Sequence, residues 1–189
     1  MNLLFAIILA FAAASFRLLP HPANFAPIGA LALFLGARIP KKQSIPIVLA
    51  AMLASDAIIG FYDWRLMLAV YGSFALAALL GSRIARNFKW RKFTSAAAGG
   101  SILSYLATNF AVWALSPWYA HTIAGLVACY IAALPFFRNT LLGDLTFGAI
   151  FFGAYESIRY LKRFQRNPLF EAKRLLVADG GQMADFLVS

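Results

Sequence analysis

Apolar residues run along this chain in long blocks, with short polar breaks between them. The first block covers 2–16 and ends at Arg17, where Pro20 and Pro22 stiffen a loop that also holds His21 and Asn24. The second, 24–37, is short and rich in small residues: Gly29, Ala30, Ala32, Gly36 and Ala37. Further blocks lie at 44–60, 66–86, 94–115 and 120–134, and a last one at 140–160 follows the interruption Phe136-Phe137-Arg138-Asn139. Unbroken blocks of this kind predict helices rather than half-buried strands. A helix crossing a bilayer needs about 20 residues. The first two blocks are short by that measure and are expected to reach into their shared loop. From Leu161 onward the chain turns polar and basic. There is no sequence repeat.

Composition raises these helices from buried to membrane-embedded. Hydrophobic residues make up 62% and charged residues 13% of the 189, against about 45–50% and about 25% in soluble domains. The mean hydropathy is +0.74. A soluble enzyme, a disordered chain and a coiled coil are excluded. The fold class expected is all-α, a polytopic integral membrane protein with six transmembrane helices plus a short helix at the outer face before the last span. The domain division expected is a transmembrane region at 1–160 and a cytoplasmic basic tail at 161–189. Residues 165–174 suit either a basic amphipathic helix at the inner surface or a solvated tail.

The net charge of +10 would suggest nucleic acid in a soluble protein. Here the positive charges sit in loops 38–42 and 83–92 and in 159–174, so they report topology first, and no nucleic-acid partner is expected. Loops 17–23, 61–65 and 116–121 hold few. The positive-inside rule then places the N-terminus in the cytoplasm and residue 116 outside. A cytoplasmic C-terminal segment requires an odd number of crossings between 116 and 160. The segment 120–134 is therefore expected to lie at or dip into the outer half of the membrane, with 140–160 as span six. Seven spans with an external C-terminus would violate the charge rule. The run Ala12-Ala13-Ala14-Ser15 looks like a signal-peptide cleavage site, but no basic residue precedes the apolar block, so a retained helix is expected. The single Cys129 excludes an internal disulfide and a multi-cysteine metal site, and fits as a small filler in an apolar helix.

On this topology the outer face gathers the chemistry. Arg17, His21, Asn24, Trp64, Trp118, Tyr119 and His121 fall in or beside the outer loops. Asp56, Asn109, Trp113, Arg138, Asn139 and Asp144 fall near the outer ends of spans. Ionisable groups at membrane depth usually face a cavity or a partner, and aromatic walls with a few polar groups suit an organic ligand. Each has a plainer alternative. The Trp and Tyr residues serve as interfacial anchors, Asp56 pairs with Arg65 or Arg17, Arg138 pairs with Asp144, and His121 caps the next helix. No HExxH, phosphate-binding glycine loop, GxSxG or metal-ligand cluster is present, so no catalytic residue, metal or cofactor is expected. Ala6, Ala10 and Ala14 recur every fourth residue on one face of the first helix. Small residues allow close helix approach in lipid, so this stripe is a docking face, for the chain's own helices or for another membrane subunit.

The stretch from Arg17-Leu18-Leu19-Pro20-His21-Pro22-Ala23-Asn24 to Phe34, with that from His121 to Asp144, resembles an uncharacterised bacterial family of candidate membrane transport proteins (DUF6580-like). That family in turn resembles the substrate-binding S components of energy-coupling factor (ECF) vitamin transporters. The resemblance covers about 1–160. It implies six helices with both termini cytoplasmic, in a bacterial inner membrane. It also implies a vitamin or related micronutrient bound near the outer face, and uptake driven through a transmembrane coupling subunit and two ATPase subunits, although some members look solitary. Ala6, Ala10 and Ala14 match the pattern that contacts the coupling subunit in those proteins.

The expected function is therefore capture of a small-molecule substrate from outside. Arg17, Arg138, His21 and His121 would meet an anionic or heteroatom-rich ligand. Asn24, Asp56, Asn109, Asn139 and Asp144 would supply polar contacts, and Trp64, Trp113, Trp118 and Tyr119 would stack on it. Two rival classes stand beside this one. The first is an integral membrane enzyme using His21, His121 and Asp144 as acid and base. The second is an accessory subunit that only assembles others.

Overall fold

The computed structural model describes residues 1–84 and 88–165, which form six α-helices. They are α1 Leu3–Phe16, α2 Ile28–Arg38, α3 Lys41–Ile59, α4 Trp64–Ile84, α5 Trp90–Leu115 and α6 Ile123–Gln165. Most of the expected tail, including the helix considered at 165–174, lies outside the described residues, as does Arg86 of the basic loop. The chain divides into two compact units, Met1–Phe151 and Phe152–Ser189. In the second, described to Gln165, Arg159 faces Glu156 at 3.7 Å one helical turn away, and Ile158, Tyr160, Leu161 and Phe164 are exposed.

Among the described residues, three helices are long and apolar enough to cross a membrane: Lys41–Ile59, Trp64–Ile84 and Ile123–Phe164. Helices α1 and α2 are apolar but shorter. Lipid-facing surface is what the exposure pattern resembles, with Leu4, Ile8, Phe11, Ile58, Leu68 and Ile131 among many large apolar side chains left uncovered.

Local chemistry sets the helix ends. The Asn2 side chain caps α1 by accepting from the Leu4 N–H at 3.1 Å. Gly60, at φ 117°, ends α3, and its N–H donates to the Asp56 carbonyl. Asp63 opens α4 by accepting from the Arg65 N–H at 2.8 Å. Thr122 opens α6 by accepting from the Gly125 N–H at 3.1 Å, so the capping role considered for His121 belongs to its neighbour. Helices α3 and α5 each begin a few residues before their apolar blocks, at Lys41 and Trp90, because a first turn tolerates polar and basic side chains that reach back to water.

The expected short outer helix followed by a separate span is not what forms. A single 43-residue helix, α6, runs through Pro135 and through Arg138-Asn139. The interruption was polar but contained no helix stop. Asn139 and Thr140 are satisfied in place, by the Ala23 carbonyl at 2.9 Å and by the Phe136 carbonyl at 3.0 Å. Pro135 deprives the Ile131 carbonyl of its usual donor. One residue earlier, the Tyr130 carbonyl takes a 2.6 Å hydrogen bond from the Tyr105 hydroxyl of α5, and the Tyr130 hydroxyl returns one of 2.8 Å to the Leu106 carbonyl. Neighbouring side chains support helical backbone around a proline in this way in membrane helices.

Helix α2 is the centre of the first unit. Ile28 to Ala37 are all buried, and the helix packs on α1, α3, α4 and α5. Its tightest crossing is with α4. A Cβ on Gly36 would run into the Ala78 carbonyl, and one on Gly81 into the Leu33 carbonyl. Helix α1 lies on α3 and α2. Its alanine stripe is turned inward, with Ala6 at 0%, Ala10 at 5% and Ala14 at 8% exposure. The face considered for an outside subunit is thus occupied within the chain, and the outward face of α1 is large and aliphatic: Leu4, Ile7, Ile8 and Phe11.

Between α1 and α2 the chain makes a turn in which the Phe25 N–H donates to the Pro22 carbonyl at 2.9 Å. Asn24, third in that turn, has φ 63°. Asn tolerates this left-handed conformation, whereas a β-branched residue does not. Asn24→Val is expected to cost about 1–2 kcal/mol and Asn24→Gly close to nothing. Thermal unfolding in detergent reads the difference, and equal stability of the two variants would refute the assignment.

Candidate functional site

The loop between α1 and α2 is fastened from two sides. From α3, Asp56 grips Arg17, with Nη2 to Oδ1 at 2.7 Å. Arg17 Nη1 also donates to the Ser55 hydroxyl, and Asp56 Oδ2 accepts from the Tyr71 hydroxyl of α4 at 2.8 Å. From α6, the Asn139 amide donates to the Ala23 carbonyl, and Phe147 packs edge-on to Phe16 at 5.1 Å and at a tilt to Phe25 at 5.4 Å. His21 Nδ1 donates to the Leu19 carbonyl at 2.6 Å, since a carbonyl oxygen can only accept.

Beneath this loop is a cavity of about 580 Å³ walled by residues of every helix from α2 to α6, with Arg17, His21 and Asn24 at the loop side. That volume lies within the range of small-molecule sites. Its apolar wall includes Phe74 of α4, Val112 of α5, and Phe136 and Phe137 of α6. Its polar lining on α5 is Ser104, Tyr105, Thr108 and Asn109, joined by Thr140 of α6.

The N-terminus of α2 borders the cavity through Ile28 and Gly29. Pro27 at its N-cap provides no side-chain cap. Asp144 of α6 fills that role from another helix. Its carboxylate accepts from the Ala30 backbone N–H and from the Ser101 hydroxyl at 2.7 Å. Helix N-termini leave N–H groups unpaired and carry partial positive charge, so an acidic group there is doubly favoured. Glycine at position 29 makes room for it, because a Cβ would overlap the Asp144 carboxylate. Asp144 is 5% exposed and lines the cavity.

Of the residues singled out from sequence, Arg17, His21, Asn24, Asn109 and Asp144 line this cavity. Asp56 stands behind the wall, paired with Arg17, and Asn139 holds the loop. The others lie elsewhere. Trp64 and Trp118 are 65% and 72% exposed. Trp113 donates through Nε1 to the Ala120 carbonyl at 3.0 Å and stacks edge-on to His121 at 5.8 Å. Tyr119 and Arg138 are absent from the lining, and Arg138 is exposed. Arg138 is thus not the ion partner of Asp144. His21 and Asp144 share the cavity, and His121 is not in its lining. Cys129 is buried, its Sγ 3.4 Å from the Asn109 carbonyl. No group of three metal-ligating side chains exists among the described residues.

Tyr62, in the 61–65 loop expected at the outer face, also lines the cavity, whereas sequence reasoning missed Ser104, Tyr105, Thr108, Phe136, Phe137 and Thr140. A weak signal was present: Gly100, Ser101, Ser104, Tyr105, Thr108 and Asn109 fall at spacings of three and four along α5, one polar face on an apolar helix.

No curated protein and no solved structure matches the chain, and no comparison links it to the energy-coupling factor S components. A family model does match, that of a family of unknown function, DUF6580, over residues 1–167. The chain belongs to that family.

Proposed function

We propose that this is a membrane-embedded binding protein for a small organic molecule, serving its uptake. The cavity is the observation that carries the reading. It is large enough for a vitamin-sized ligand, lined by aromatic rings and scattered hydrogen-bonding groups, and roofed by a loop pinned at both sides. The half-length of α2 supports it. Eleven residues span about 16 Å, half the hydrocarbon thickness. Helix α2 therefore starts at membrane depth, where non-helical backbone is tolerated only inside protein or along a cavity.

In this reading all six helices sit in the bilayer of a bacterial inner membrane. The basic loops near 38–42 and 83–92 face the cytoplasm with both termini, and the cavity opens outward. Energy for uptake would come from a transmembrane coupling subunit and its ATPases. The inward-facing alanines of α1 leave the aliphatic face of Leu4, Ile7, Ile8 and Phe11 as the surface for such a subunit.

Native mass spectrometry of protein purified in mild detergent tests the binding reading. A co-purified small molecule at one per chain is expected. Ser104→Trp puts an indole into the cavity and is expected to abolish that mass without unfolding the protein. A ligand retained by this variant would place binding elsewhere. No ligand, together with no stabilisation by a vitamin panel, would overturn the reading.

A further inference from the structure

From the charges that face the cavity, we propose that its ligand is an aromatic compound bearing a protonated or N–H-donating nitrogen, which Asp144 receives. The inference rests on the small-molecule reading above and narrows its substrate class.

Arg17 is the one Lys or Arg in the lining, and its charge is already spent. Asp56 holds it at 2.7 Å, and the Ser55 hydroxyl and Met52 backbone take further donors. An anionic ligand would have to compete with a buried carboxylate for that guanidinium. Asp144 is in the opposite position. It is nine-tenths buried, it lines the cavity, and both its protein partners are neutral donors, the Ser101 hydroxyl and the Ala30 N–H. No cationic side chain pairs with it among the described residues. No cation among the described residues offsets this carboxyl group, whose protein partners are the Ser101 hydroxyl and the Ala30 N–H. Each carboxyl oxygen can accept more than one hydrogen bond, and a ligand N–H would take a position that the protein leaves open.

The walls favour an organic cation over a metal ion. Tyr105, Phe74, Phe136 and Phe137 line the cavity, and aromatic rings attract organic cations. A metal would need further anionic or imidazole ligands, and no group of three such side chains exists among the described residues.

The test uses the full chain in detergent and three indole probes matched in size: tryptamine as cation, indole-3-acetamide as neutral donor and indole-3-acetate as anion. Binding is read by thermal stabilisation and native mass spectrometry at neutral pH. Tryptamine is expected to bind at least about tenfold more tightly than the acetate, with the amide between them. A hydrogen bond to a charged group is worth about 1.5–3 kcal/mol, so Asp144→Asn should weaken tryptamine about 10- to 100-fold. The amide should bind this variant within a few fold of the parent. Asn keeps a carbonyl oxygen for the Ala30 N–H, so α2 stays capped. The wild-type probe series decides the matter even if the variant fails to fold. Preference for the acetate, or an anionic co-purified ligand displaced by Ser104→Trp, would overturn this inference and leave the small-molecule reading standing. No probe bound and no co-purified mass would overturn both.

Discussion

Replacing Arg17 with Met is expected to destabilise the protein by about 3–5 kcal/mol, one of the two largest losses anticipated for a single substitution. The cause is what remains behind. Asp56 is 1% exposed, and without the guanidinium it keeps only the Tyr71 hydroxyl as a partner. Desolvating a carboxylate costs several kcal/mol when no cation offsets it. Arg17 also closes α1 and is the first residue of the pinned loop, so its loss frees the roof of the cavity as well as the ion. The double variant Arg17→Met with Asp56→Leu separates the two consequences. Exchanging a whole buried ion pair for apolar side chains is often neutral or stabilising, so the double variant should recover most of the loss while the loop stays released. Thermal unfolding in detergent reads the first effect, and protease cleavage between Arg17 and Pro27 reads the second. A single variant as stable as the parent would show that the pair contributes nothing. A double variant no better than the single would show that packing of the Arg17 stem, not its charge, holds α1 to α3.

The same pair shows what was legible in the sequence. Arg17 and Asp56 stood out because charge is rare in this chain, and their pairing was one of two open options. The blocks of apolar residues located α1 to α5 to within a few positions, because in lipid a helix must be apolar along its length. Two features were hidden, for different reasons. Continuity of α6 through Arg138 and Asn139 was missed because a polar pair reads as a loop when nothing reveals its partners. Asn139 finds the Ala23 carbonyl in a loop more than a hundred residues away. The polar face of α5 was missed because a hydroxyl on a helix satisfies itself. Thr108 donates to the Ser104 carbonyl at 2.7 Å, so such residues survive in apolar helices with no ligand at all. Their placement around one cavity is a property of packing. Arg138, Trp64, Trp118 and His121 were drawn to the site by rarity, yet exposure places them at the periphery.

Packing also sets the second large effect, at the crossing of α2 and α4. Gly36→Ala and Gly81→Ala are each expected to lower stability by about 1–3 kcal/mol, and Leu at either position by more, with loss of ligand binding. In water, apolar surface drives helices together, but in lipid the tails are as apolar as the side chains. Close backbone contact then supplies much of the cohesion. At this crossing the obstruction to a new Cβ is a backbone carbonyl on each side, that of Ala78 facing Gly36 and that of Leu33 facing Gly81. A carbonyl in a helix cannot swing aside as a side chain can, so the two helices must separate. Separation does not remain local. Helix α2 is buried along nearly its whole length, and its N-terminus carries the Asp144 contact through Ala30. Lifting it shifts the cavity wall that Ile28, Gly29 and Leu33 form, which couples a substitution near the far end of α2 to ligand affinity. Two other glycines supply the internal control. Gly72 and Gly99 have nothing within 4 Å of a would-be Cβ, and alanine there should be neutral or stabilising by up to about 1 kcal/mol from helix propensity. If Gly36→Ala proves as stable as Gly72→Ala, close approach of α2 and α4 is not what holds the bundle.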